Sequence, residues 1–500
     1  MRHLIPASLA AVLLMTATPT HAAEPAAAST ASAPRAYASD HAGVFGGRKI
    51  AYRASLQETI LKDPKGQPAA SLFSFSYVAK GQGENRPVVF VFNGGPGSSS
   101  IWMHMGMLGP RRVAFADPVH PPTTPPFKLE DNPFSLLDVA DLVFIDPIGT
   151  GYSRLLPGGK GEDFYGVSQD ARATAEFIQN WLSANGRWNS PKYLVGESYG
   201  TVRASVLANT LMGGPFSPTA TLGGATLNGV IILGPSFDVG RSSGDETYLT
   251  SLPTMAATAW VHGRTPREGR TAQSAADEAR RFAAETYLPA LYAAEDLSAA
   301  DRTRVAEGLA GLTGLSAQTW LDANLRISLG EFGKLLLKDQ GLQIGAYDGR
   351  YTLPLAASGG DPVADDPAMG QYTPGFIAVL NDYVRNELRA PAPTTYQPIA
   401  FGEVNARWNW GAGPGAPQPK NYAEDLAVAM RRNPALKVFV GAGYYDLVTT
   451  FGAAEYVTRR SGLARDRVTL RTYPSGHMPY MGDESARLLG ADIRAFIAAR

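Results

Sequence analysis

Five short stretches of this chain are apolar at every position: 88–92, 142–145, 193–195, 230–233 and 438–440. A strand with one face in water alternates apolar and polar residues. A strand that is apolar throughout must be covered on both faces, as inner strands of parallel sheets are. Several of these stretches lead into helix-patterned segments, such as 168–182 and 202–211. Buried strands alternating with helices predict an α/β fold, with helices on both faces of a mostly parallel sheet. Ahead of them, 49–56 and 71–78 alternate about the turn Asp63-Pro64-Lys65-Gly66 and read as a hairpin.

The alternation stops near Pro235. From about 241 to 389 the pattern is mostly helical, with a helix over 272–288 that Pro289 breaks or kinks and another over 298–312 capped by Ser298. Loops rich in Pro and Gly follow near 355–375 and 411–419. Strand and helix return at 437–440 and 468–472, and an amphipathic helix over 485–499 ends the chain. The expected organisation is an α/β core in two parts, 41–236 and 397–500, interrupted by a mostly helical cap insertion over 237–396.

The N-terminus predicts export. Residues 1–22 read as a signal peptide, with Arg2 and His3 ahead of an apolar run too short to span a bilayer. Residues 23–40 are nearly all Ala, Pro, Ser and Thr and read as a linker. The expected location is periplasmic or extracellular, with no membrane anchor. Lys plus Arg and Asp plus Glu number 45 each, so there is no bulk field to attract nucleic acid. Cysteine is absent, which excludes disulfides, thiolate catalysis and Cys-ligated metal centres. No cofactor and no metal are expected, since there is no H-E-x-x-H and histidines are few.

The chemistry concentrates in a few motifs. Gly196-Glu197-Ser198-Tyr199-Gly200 follows one buried strand and precedes a helix, the context of a G-x-S-x-G nucleophile elbow. The turn is tight enough that the residues two before and two after the serine must be small. Asn93-Gly94-Gly95-Pro96-Gly97-Ser98-Ser99-Ser100 follows another buried strand and lacks the Lys-Ser/Thr end of a P-loop. It fits better as partner of the elbow: an acyl-transfer serine needs two backbone N–H donors for the oxyanion, and Tyr199 and Gly95 are the candidates. A serine hydroxyl also needs a base. In this motif's chain order of Ser, acid, His, the base falls on His477, past the strand 468–472, and the acid on Asp446, past 438–440.

With these residues in hand, the chain resembles the serine carboxypeptidases of the carboxypeptidase Y and cathepsin A type, and especially their bacterial members. The likeness is carried in order by Asn93-Gly-Gly-Pro-Gly-Ser-Ser-Ser100, Asp146-Pro-Ile-Gly-Thr-Gly-Tyr-Ser153, Gly196-Glu-Ser-Tyr-Gly200, Gly443-Tyr-Tyr-Asp446 and Gly476-His477-Met478. The resemblance implies an α/β-hydrolase fold with a helical cap, peptide substrates, and release of C-terminal residues. It implies Ser198, Asp446 and His477 as catalytic triad, Gly95 and Tyr199 as oxyanion hole, and Asn93 and Glu197 as holders of the substrate's terminal carboxylate. A carboxylate beside Glu197 requires a shared proton, so activity is expected to be better at mildly acidic pH. Two positions depart from the eukaryotic members: Ser98 replaces a cysteine and Val91 a tryptophan near the carboxylate. A serine esterase, lipase or acyltransferase on the same fold is the alternative, and a non-catalytic binding protein is a further one. Trp260, Tyr372, Trp408 and Trp410 are candidates either for pocket walls or for core packing.

Overall fold

The computed structural model describes residues 33–499 except 84, 116, 215–222, 241–243, 358–359 and 412–419. The expected signal peptide, the first part of the expected linker and most of the 411–419 loop therefore lie outside the described residues.

Ten strands form the main sheet: β1 (Ala36–Phe45), β2 (Arg48–Lys62), β3 (Pro68–Ala79), β4 (Val88–Phe92), β5 (Asp141–Ile145), β6 (Arg154–Leu155), β7 (Lys192–Ser198), β8 (Gly229–Pro235), β9 (Lys437–Gly443) and β10 (Val468–Tyr473). Their spatial order is β1-β2-β3-β5-β4-β7-β8-β9-β10, with β6 beside β3. Along that order the pairings from β5 through β4 to β10 are parallel, while β1 to β3 join β5, and β6 joins β3, in antiparallel fashion. β1 corrects the expected linker: strand begins at Ala36, inside 23–40. Its composition offers little to bury, but its backbone pairs with β2 along its length, and Arg35 is held by Glu58 at 2.9 Å.

The inner strands are covered on both faces. Val89 and Val91 of β4 point into one apolar cluster, and Val88, Phe90 and Phe92 into another. The second face is closed by α1 (Val167–Ala184) and α2 (Gly200–Met212) through Phe177, Trp181, Val202 and Leu207. After β8 the chain leaves the sheet. There α3 (Glu246–Val261), α4 (Ala272–Phe282) and α5 (Ala299–Thr313) build a separate apolar core around Leu252, Met255, Leu309 and Trp320. Ser298 caps α5, its hydroxyl accepting from the Asp301 amide at 3.1 Å. At Pro289 the helix does not stop. A wider π turn, Ala283–Tyr287, precedes it, and Pro289 then sits in the first turn of a new helical piece, where a missing N–H costs little.

The insertion does not all behave as cap. Helix α6 (Met369–Asp382) buries Phe376, Val379 and Leu380 in the same cluster as Val89 and Val91, so it is a layer of the core. Periodicity identifies such a helix as amphipathic but not which surface it covers. Helices α7 (Ala423–Arg432), α8 (Phe451–Arg460) and α9 (Asp483–Ala498) complete the two layers.

The sheet places the site. Strand order reverses at β4, which lies between β5 and β7, and the crevice at the carboxyl ends of strands beside such a reversal is where α/β proteins bind ligands. The loops after β4 and β7 both open there.

Candidate active site

Ser198 ends β7 with φ of 59°, a left-handed conformation rare for a side-chain-bearing residue and typical of a strained functional turn. The flanking glycines are forced. A Cβ on Gly196 would lie 2.2 Å from the Gly200 carbonyl oxygen, and one on Gly200 would lie 3.0 Å from that of Phe92. The Asn93 loop packs directly on the elbow: a Cβ on Gly94 would lie 2.4 Å from the Tyr199 amide nitrogen. Gly95, at φ of 100°, lines the cavity that also holds Ser198 and His477. Among the described residues the amides of Gly95 and Tyr199 have no hydrogen-bond partner, which leaves both available to an incoming oxyanion. The Tyr199 ring itself points away, packed edge-on against Trp408 and Trp410.

Asp446 and His477, 31 residues apart in sequence, meet at 2.9 Å between Oδ2 and Nδ1, both buried. The carboxylate is held by three further donors. The amides of Val448 and Thr449 each reach Oδ1 at 2.8 Å, and the Thr449 hydroxyl reaches Oδ2 at 2.6 Å. Burial alone would lower the His477 pKa. The Asp446 charge and hydrogen bond, with smaller help from Glu197 and Asp366, outweigh burial and hold it above the usual histidine value. Ser198 Oγ makes no hydrogen bond among the described residues; catalytic contacts of this kind commonly tighten only when substrate arrives.

Asn93 and Glu197 are also brought together, across 104 residues. Asn93 Nδ2 donates to Glu197 Oε1 at 2.7 Å. Glu197 is buried and its Oε2 has no hydrogen-bond partner. Burial pushes its pKa up to about 7, against the opposing pull of His477, Tyr480 and Asn93. A carboxyl so buried beside the strained serine turn is not a solvated helix-start acid. From the far side, Arg203 donates to the Asn93 carbonyl at 2.6 Å while paired with buried Asp170 at 2.7 Å.

The walls of the cavity are apolar: Trp102, Tyr347, Met369, Ile399, Phe401 and Met478. None of the four aromatics singled out from sequence is among them. Tyr372 and Trp408 lie in the core, Trp410 packs against the same cluster as Trp408, and Trp260 packs against a small cluster around Ala257 and Tyr445. Trp102 carried a signal that could have found it, since it lies four residues after Ser98. Its indole N–H donates to Ser98 Oγ at 2.8 Å, so one of the two departing positions supports a tryptophan of its own, while Val91 is buried inside β4.

With this geometry in view, comparison with known proteins is informative. The model of the serine carboxypeptidase family matches residues 63–258. Over that stretch the chain is similar to the serine carboxypeptidases. Serine carboxypeptidase-like 5 of Arabidopsis thaliana is 33% identical over 132 residues, 26% of this chain and 28% of that protein. Pheromone-processing carboxypeptidase kex1 of Pyrenophora tritici-repentis is 30% identical over 146 residues, 28% of this chain and 20% of that protein. The matched stretches thus span less than a third of these relatives' lengths. Among solved structures, the prohormone-processing carboxypeptidase Kex1(Δ)p of Saccharomyces cerevisiae shares the fold, with TM-score 0.53 and 14% identity over 89% of this chain and 91% of that one. The fold is that of the α/β-hydrolases. The family match contains the Asn93 loop and the elbow; Asp446 and His477 lie beyond it and rest on their own geometry.

Proposed function

We propose that this protein is an exported serine carboxypeptidase that releases C-terminal amino acids from peptides through an acyl-enzyme. His477 accepts the Ser198 proton as Ser198 Oγ attacks the last peptide carbonyl. The Gly95 and Tyr199 amides receive the oxyanion. His477 then returns the proton to the leaving amine, and the terminal amino acid departs. Water, deprotonated by His477, attacks the acyl-enzyme and regenerates Ser198. Asp446 holds the ring of His477 and stabilises its charged form.

The observation that carries the reading is the buried Asn93–Glu197 pair beside Ser198, with one glutamate oxygen unpartnered. A serine esterase or lipase has no need of such a group. A free carboxylate needs a donor: protonated Glu197 supplies one, and ionised Glu197 repels. The same proton assists the base, because a neutral Glu197 no longer raises the His477 pKa. Both effects extend activity into mildly acidic pH, down to where His477, held above the usual histidine value by Asp446, takes up a proton of its own. A larger cleft lined by Phe237, Thr250 and Tyr456 meets the cavity at Val448 and gives the acyl side of a peptide a route.

A C-terminal release assay on blocked dipeptides, run beside the matching C-terminal amides and a Ser198→Ala control, tests the reading. Equal turnover of amides and free acids would favour the esterase or acyltransferase alternative. Among the described residues no helix is long and apolar enough to cross a membrane. Export rests on the N-terminal sequence, and the N-terminus of protein purified from its native host tests it.

A further inference from the structure

Residues 345–351 of the insertion reach back into the catalytic loops. Three of its backbone groups bond to them. The Leu447 amide donates to the Ala346 carbonyl at 2.9 Å, the Gly349 amide to the Tyr445 carbonyl at 2.8 Å, and the His477 amide to the Tyr347 carbonyl at 2.6 Å. The first two flank Asp446 on either side. The third holds His477 itself. Contact is close enough that a Cβ on Gly476 would lie 2.3 Å from the Tyr347 oxygen and 2.5 Å from Asp348 Cβ. Asp366 anchors the segment in turn, accepting from the Ala346 amide at 2.6 Å.

One side chain touches both loops. Arg350 forms a two-pronged pair with Asp348, at 2.9 Å through Nε and 2.6 Å through Nη2. Its Nη1 donates to the Pro474 carbonyl at 3.0 Å, three residues before His477. Its guanidinium lies 5.2 Å from the centre of the Tyr445 ring, the residue before Asp446. A planar fork with a stacking face can make all of these contacts at once, whereas a lysine ammonium cannot. The chain has no cysteine, so no disulfide among its residues ties these loops together.

We propose that Arg350, oriented by Asp348, is a positioning residue that fixes the loop of Asp446 against the loop of His477. The insertion is then part of the catalytic frame as well as a cover. The inference rests on the reading of Ser198, His477 and Asp446 given above.

The test uses the intact protein with Arg350→Lys and Asp348→Asn. Three quantities are read: the rate of Ser198 labelling by a small fluorophosphonate, the kcat and KM for a blocked dipeptide, and the thermal melt. Labelling needs the serine and its base but no peptide pocket, so it separates loop geometry from substrate binding. Misplacing a base by about 1 Å costs up to roughly 100-fold. Arg350→Lys should therefore lose about 10- to 100-fold in both labelling rate and kcat, with KM within about 2-fold and the melt still cooperative. Asp348→Asn, nearly isosteric, should move the same quantities in the same direction by less. Folded variants with unchanged labelling and kcat would overturn the proposal. So would loss of a cooperative melt in both, which would assign the pair to stability alone. Wild-type protein that labels at Ser198 but releases no C-terminal residue would remove the carboxypeptidase reading and leave this proposal standing. Wild-type protein that does not label overturns both.

Discussion

Raising the pH from about 5.5 to about 8 should remove the Glu197 proton and weaken substrate binding, an effect read in KM, while loss of the His477 proton over the same range acts on kcat. With a pKa near 7, Glu197 is almost fully protonated at the lower pH, and about one molecule in eleven keeps the proton at the higher. If only the protonated form accepts a carboxylate, apparent affinity falls by that fraction, so KM should rise about tenfold across the range, about fivefold of it between pH 7 and 8. The assay is KM for a blocked dipeptide and for its C-terminal amide across this range. The acid should show the slope and the amide should not. Glu197→Gln keeps a donor and an acceptor but cannot titrate, so its KM should be flat. The same carboxyl predicts a stability trend. It binds its proton more tightly in the folded protein, near 7, than at the ordinary glutamate value of 4.5. Its contribution is therefore full below pH 4.5 and is lost as pH rises to 7, about 3 kcal/mol in all, and Glu197→Gln should lack that slope. A wild-type KM that is flat with pH, or equal slopes for acid and amide, would refute the reasoning.

Other outcomes follow from single contacts. Ser198→Ala and His477→Ala should each lose roughly 10⁶-fold in kcat without losing the fold, measured by turnover and circular dichroism. Thr449→Val removes the hydroxyl that donates to Asp446 at 2.6 Å; a hydrogen bond to a charged group contributes about 1.5–3 kcal/mol, so kcat should fall at least tenfold with KM little changed. Gly94→Ala would push a methyl to 2.4 Å from the Tyr199 nitrogen, and should cost about 1–3 kcal/mol in urea unfolding together with most of the activity.

Much of the fold was legible because its signals are local. The apolar runs became β4, β5, β7, β8 and β9, and Ser298 caps its helix as its type and place predict. The site was legible where a motif constrains its own neighbourhood: Gly196 and Gly200 are small because backbone lies against them. The failures are all non-local. Ala36–Asp40 looked like linker because the pairing that orders it comes from β2. Which aromatics line the cavity is non-local as well: Trp260 and Tyr372 pack in or against the core, their expected role, while Trp102 forms the wall.

The sequence by itself therefore determined the order of strands and helices, the strained serine turn and the residue types that could serve it, since each depends on side chains within a few positions of one another. The tertiary structure decided what those residues become. It joins Asp446 to His477 over 31 residues and Asn93 to Glu197 over 104, and braces the first pair with a segment from the insertion. It also excludes water from Glu197, and that exclusion moves a plain carboxyl to neutrality. Desolvation and pairing belong to the packed interior, and no stretch of chain carries them alone.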